Sequence, residues 1–182
     1  MTWTNSDGLY VKFAKEEGIS GRGGAYSTEN DGSTRITFTI NYTDALSATY
    51  TILGAASGVD AGSYGVVLPK GLRIEEVKVF AESAFTSSGT IGSSTFSVGL
   101  KKTSDRSTEL DHDGLLTASF VGSAIDAAGE RSLVTVGSTG AGALIGTTLS
   151  ENGVIVVANT AHASHPYTAG KAVVTIRGYF PV

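Results

Sequence analysis

Apolar and polar residues along this chain change places every second position. Val77, Val79 and Ala81 fall on one side, and Lys78, Phe80 and Glu82 on the other. Extended backbone turns successive side chains to opposite faces, so a period of two predicts a β-strand. That strand is entered through Leu68-Pro69-Lys70-Gly71 and left through Ser87-Ser88-Gly89, both turn-forming. In residues 35–41 the same alternation sets Ile36, Phe38 and Ile40 against Arg35, Thr37 and Thr39. Further strands are expected at 95–101 and 131–136, with two closing strands at 154–157 and 172–180. Residues 50–53 and 64–68 read as shorter strands on either side of a loop.

About eight strands result, joined by connections too short for repeated crossover helices. The pattern predicts an all-β fold, an antiparallel sandwich or barrel. Eight strands point to a β-sandwich of jelly-roll type, two packed sheets around one core. Val77, Val79, Ala81, Val98, Leu100, Val174, Ile176 and Phe180 are expected inside it. The longest weakly patterned stretch is 103–129, where residues 115–120 read as a strand or as one to two helical turns.

Residues 1–33 differ from the rest. Residues 9–13 alternate briefly, but residues 16–24 have no period and residues 27–33 are polar and turn-forming. So little apolar surface cannot fold alone, which predicts an irregular N-terminal arm or edge segment before a main domain at 34–182. The arm holds Trp3, Tyr10 and Phe13. Aromatic anchors on such a segment suit contact with a partner, and equally suit folding back onto the chain's own sheet.

Composition narrows the function classes. The net charge is −4; residues 1–33 carry three basic and five acidic groups, and the remainder ten and twelve. No basic stripe with interleaved aromatics is present, so no nucleic-acid partner is expected. No stretch reaches the ~18 consecutive apolar residues of a spanning helix, so no membrane partner is expected. Residues 1–8 lack the basic start and apolar core of a secretory leader, which predicts a soluble chain made in a cytoplasm. Without cysteine there is no disulfide framework, thiolate zinc site or cysteine nucleophile. Charged residues are 16% of the chain, against a typical value of about 25%, and the 24 glycines are nearly double the usual ~7%. Small side chains with few charges suit a surface covered by neighbours, where charged rims would lose hydration.

Each candidate for chemistry fails at a named position. Glu109-Leu110-Asp111-His112-Asp113-Gly114 sets alternate carboxylates before a glycine, but the calcium-loop position for a bidentate glutamate is Phe120. These residues read as solvated turn carboxylates. His162 and His165 sit three apart in a loop with Pro166, with no third ligand near. The glycine-rich 137–146 comes after a strand, yet a dinucleotide fingerprint meets Ile145 and a phosphate loop meets Ala143 where lysine is required. It reads as a flexible connection. No Gly-x-Ser-x-Gly elbow exists. No enzyme activity, cofactor or metal is expected.

The opening Thr2-Trp3-Thr4-Asn5-Ser6-Asp7-Gly8-Leu9-Tyr10-Val11-Lys12-Phe13 resembles small virion structural proteins of tailed phages, many of them marine or cyanophage-type. So do Leu68-Pro69-Lys70-Gly71, Ala84-Phe85-Thr86-Ser87-Ser88-Gly89, Leu110-Asp111-His112-Asp113-Gly114-Leu115-Leu116 and Tyr167-Thr168-Ala169-Gly170-Lys171-Ala172. The resemblance implies a jelly-roll head decoration (cement) subunit, often trimeric, with no catalytic residues. The expected function is therefore a structural component of the virion, placed on the capsid surface. It would bind the major capsid protein and stabilise the shell, with Trp3, Tyr10 and Phe13 as candidate capsid contacts. A homotrimer is also expected because a small sheet domain with small side chains packs closely around a three-fold axis. The alternative is a receptor- or glycan-binding module of a tail, neck or head fibre. Its platform would be Tyr64, Tyr167 and the acidic loop around Asp111.

Overall fold

Three strongly alternating strands lie side by side at the centre of the protein. The computed structural model describes residues 33–45, 47–53, 65–105 and 107–181, with the backbone alone of 2–4, 10–13 and 25–28. Strands β1 to β4 are Thr2–Thr4, Tyr10–Phe13, Ala25–Thr28 and Ser33–Asn41. Strands β5 to β8 are Thr51–Ile52, Val67–Leu68, Arg73–Ser87 and Ser97–Lys102. Strands β9 to β12 are Glu109–Leu116, Arg131–Thr135, Gly153–Ala158 and Tyr167–Tyr179.

The register of β4, β12 and β7 makes three apolar rows: Ile36–Ile176–Val77, Phe38–Val174–Val79 and Ile40–Ala172–Ala81. All nine side chains are buried. Direct cross-strand neighbours on one face are the unit of sheet stabilisation, and each larger apolar side chain buried this way contributes about 1.5–3 kcal/mol. The order of the first sheet is β1-β2-β3-β4-β12-β7-β10, and that of the second is β5-β11-β8-β9, with β6 also on β11. Every paired strand is antiparallel. Val98, Leu100, Leu116, Ile155 and Val157 from the second sheet join the same buried cluster as the three rows. The two sheets thus share one core, as a β-sandwich does. From β4 onward β5 and β6 share one side of β11, opposite β8, so the nine described strands fill eight positions.

A bulge shapes the longest strand. Arg177 pairs with Glu76, but its neighbour Gly178 pairs with Ile74, leaving Glu75 as an extra residue. The bulge lets both Ile74 and Val77 face the core, although they are three apart. Within residues 1–33, β1, β2 and β3 form a meander whose last strand pairs with β4.

Four features depart from the reading of the sequence. Phe180 is 41% exposed, not buried. β12 ends at Tyr179, and the ring of Phe180 passes the end of the core to lie by the turn at Gly71. Glu109–Gly114 is not a turn but most of β9, held by pairing to β8. Residues 115–120 divide: Leu115 and Leu116 finish β9, and Phe120 closes a turn onto the Thr117 carbonyl. Residues 137–146 are a chain of hydrogen-bonded turns, with Ile145 in the core and the Gly146 amide donating to the Ile74 carbonyl.

Candidate functional site

The described surface has one conspicuous edge. β10 is the last strand of its sheet and, among the described strands, pairs only with β7. Leu133 within it is 54% exposed, and Val136 just beyond it 69%. Among the described residues only Phe180 joins them as an exposed large apolar side chain. An isolated exposed leucine is ordinary, but two apolar side chains on a bare sheet edge mark a surface suited to contact.

A shallow groove of about 440 Å³ lies on the sheet-face side of this edge. Phe80, Leu133 and Val173 supply its apolar wall, with Lys78, Arg131 and Thr175 around them. The register explains the grouping. Phe80 pairs with both Val173 and Arg131, and Lys78 with both Thr175 and Leu133, so all six share the outer face. The Arg131 guanidinium carbon sits 5.4 Å from the Phe80 ring centroid, a cation–π distance. Lys78 Nζ lies 2.9 Å from Glu76 Oε1. Among the described residues no carboxylate lines the groove itself.

A second hollow, of about 510 Å³, lies where β9 meets the segment that follows β10. Asp111 and Asp113 face Val136, Ser138, Ala141 and Gly142 across it. Its construction depends on glycine. Between Leu100 and Val98, β8 advances two residues while β9 advances from Asp111 to Leu116, so β9 bulges outward. A Cβ on Gly99 would strike the backbone of Asp111 and His112 in that bulge. Gly142 is likewise pressed against the backbone of Asp113 and Gly114. Amide hydrogen bonds then close the wall, Leu144 N to Gly114 O at 2.8 Å and Gly142 N to Leu115 O at 3.2 Å.

The electrostatics of this hollow are acidic. Burial first, and then the neighbouring Asp113 carboxyl, push the Asp111 carboxyl above its ordinary range. His112 Nδ1 is 2.8 Å from Glu109 Oε2, and its ring centroid lies 4.5 Å from that of Tyr50. Ligand atoms of Asp111, His112 and Asp113 fall within 4.8 Å of one another. These three donors would form part of a divalent-cation site, short of the six to eight oxygens calcium takes. The pKa of Asp111 is higher in the fold than in the unfolded chain, so this group favours folding below about pH 3.9. That contribution is lost as pH rises through the raised value. Asp111→Asn should therefore melt at a higher temperature than the parent chain near pH 7, and the difference should shrink as pH falls through the raised value and vanish below about 3.9. Melting curves against pH check this; a lower melting temperature at pH 7 would contradict it.

The other candidates lie elsewhere. His165 Nδ1 accepts from the Thr90 amide at 3.0 Å, while its carbonyl accepts from Asn159 Nδ2 and Ser94 Oγ. It fastens the loop before β12 to the turn after β7. His162 belongs to no group of three ligating side chains among the described residues. Tyr167 is buried at 2% exposure and its hydroxyl donates to the Thr95 carbonyl at 3.1 Å. Burial pushes its phenol far above the usual range, and it offers no face to a sugar. Tyr64 lies outside the described residues. The backbone of Trp3 lies on β1 and that of Tyr10 and Phe13 on β2, and their side chains lie outside the described residues. Sequence reasoning missed the groove, although the signal existed: Phe80 is the aromatic on the polar face of an alternating strand.

No protein-family model, curated protein or solved structure matches this chain.

Proposed function

We propose that this chain is a structural protein of a phage virion, a head decoration subunit of jelly-roll type that binds and stabilises the shell. The sheet order supports the jelly-roll reading. From β4 the chain passes back and forth between the sheets, with β8 and β9 consecutive in one of them, to give β4-β12-β7-β10 opposite β5-β11-β8-β9, the arrangement of two interlocked Greek keys. The observation that carries the functional reading is the bare β10 edge, where Leu133 and Val136 stand exposed beside a groove bearing Phe80. Such a surface is built to be covered by protein. The motif resemblance to tailed-phage virion proteins supplies the context.

In this reading the subunit trimerises, sits on the capsid surface and bridges neighbouring copies of the major capsid protein. Each contact can be weak, because linked copies bind with multiplied avidity. Trp3, Tyr10 and Phe13 are the proposed shell contacts. The experiment is co-sedimentation of purified protein with phage heads that lack it, using the parent chain and Trp3→Ala and Tyr10→Ala variants. Saturable binding by the parent, weakened at least about ten-fold in the variants (about 1.4 kcal/mol), is expected. No binding by the parent would contradict head decoration. Unchanged binding by both variants would move the contact off the arm.

A further inference from the structure

We infer that the groove on β10 and the hollow beside the segment after it are the two halves of one interface between copies of this chain, joined head to tail in a closed ring. This deepens the trimer proposed above by naming its contact surfaces. It is tested on purified protein, so its failure and failure of attachment to heads are separate results.

Among the described residues the groove is lined by two cations, Lys78 and Arg131, and by no carboxylate. The pocket is lined by two carboxylates, Asp111 and Asp113, and by no cation. Lys78 is already paired with Glu76, so the charge the groove offers a second copy is that of Arg131, and the pocket offers the opposite sign. Apolar residues sit where such a contact would close: Leu133 and Phe80 in the groove, Val136 at the pocket. Apolar contact with matched charge at its margin is the usual anatomy of a protein interface.

The symmetry is set by the surfaces being different. An interface between unlike patches is heterologous, and it forms a ring if the rotation closes. Both hollows adjoin β10, one on the sheet face and one where β9 meets the segment after β10. Each copy is then a wedge whose apex is the β10 edge. A ring gathers that edge from every copy around the axis, covering the bare strand as well as Leu133 and Val136. One arrangement thus buries the exposed edge and both apolar side chains, and sets Arg131 of one copy against Asp111 and Asp113 of the next.

Analytical ultracentrifugation at micromolar concentration, on the full chain, tests this with Arg131→Glu, Asp113→Lys and the double variant carrying both. Circular dichroism establishes that each remains folded. The parent chain should sediment as a trimer. Each single variant should associate at least about ten-fold more weakly, because like charges then face each other across the contact. The double variant exchanges the two signs and should regain most of the lost association. A Leu133→Asp variant reads the apolar half separately and should also dissociate. A monomeric parent overturns the inference, as does a dimer that withstands both single substitutions. So does a double variant weaker than either single one.

Discussion

Replacing Phe85 with alanine should destabilise the protein by about 3–5 kcal/mol, the range for truncating a fully buried aromatic. Phe85 is 1% exposed and lies near the end of β7. Its ring meets Phe96 at 5.4 Å and Tyr167 at 5.1 Å between centroids, both edge-to-face, and Phe96 continues the cluster to Phe120 at 6.1 Å. Such pairs add about 0.5–1.5 kcal/mol each beyond area burial. The ring also occupies the space a Cβ on Gly170 would fill, at a bulged position with φ +134°. The cavity left by Phe85→Ala therefore has rigid walls of backbone and aromatic rings, and little can collapse into it. Urea denaturation measures the change. A loss below about 1 kcal/mol, typical of an average substitution, would show that the cluster is not packed as described.

Gly99→Ala should also be severe, for a different reason. The added Cβ collides with the backbone of Asp111 and His112, not with the flexible end of a side chain. Either β8 and β9 separate or the bulge is rebuilt, and we expect a loss of about 3 kcal/mol or more, at or above the upper range for overpacking. The acidic hollow should be displaced with it. The control is Gly92→Ala, where the nearest atom to a new Cβ is 3.9 Å away. That substitution should change stability by less than about 1 kcal/mol. Equal effects at the two positions, measured by thermal melting, would contradict the described contact between β8 and β9.

The contrast between β7 and β9 shows how far the sequence could be read. In β4, β7 and β12 the local pattern and the fold agree, because one face of each strand meets the core along most of its length. Val77, Val79, Ala81, Val174 and Ile176 could be assigned to the interior for that reason. The same rule failed at Phe180, because alternation does not report where the opposite sheet ends. β9 was illegible for a stronger reason. Asp111, His112, Asp113 and Gly114 favour turns locally; Asp111 is held by pairing with Leu100 of β8, and the bulge that follows it is packed against the close-approaching Gly99 and Gly142. Those contacts are distant in sequence, and no periodicity encodes them.

The candidate surface divides in the same way. Lys78 and Phe80 were visible on the outer face of their strand. That β10 would be the bare edge depends on sheet order, which alternation does not specify. The acidic pocket needs the chain near Gly114 and the chain near Gly142 brought together by amide hydrogen bonds. Tyr167 was misplaced as an exposed platform because its strand begins at the bulge facing Phe85, which turns the ring inward.

We propose this chain as a repeated structural part of a phage head. The most direct test is the copy number per virion, by quantitative mass spectrometry of purified particles against the major capsid protein. Decoration predicts hundreds of copies, in a fixed ratio to the shell subunit. A few copies per particle would contradict it and would place the protein in a tail, neck or fibre.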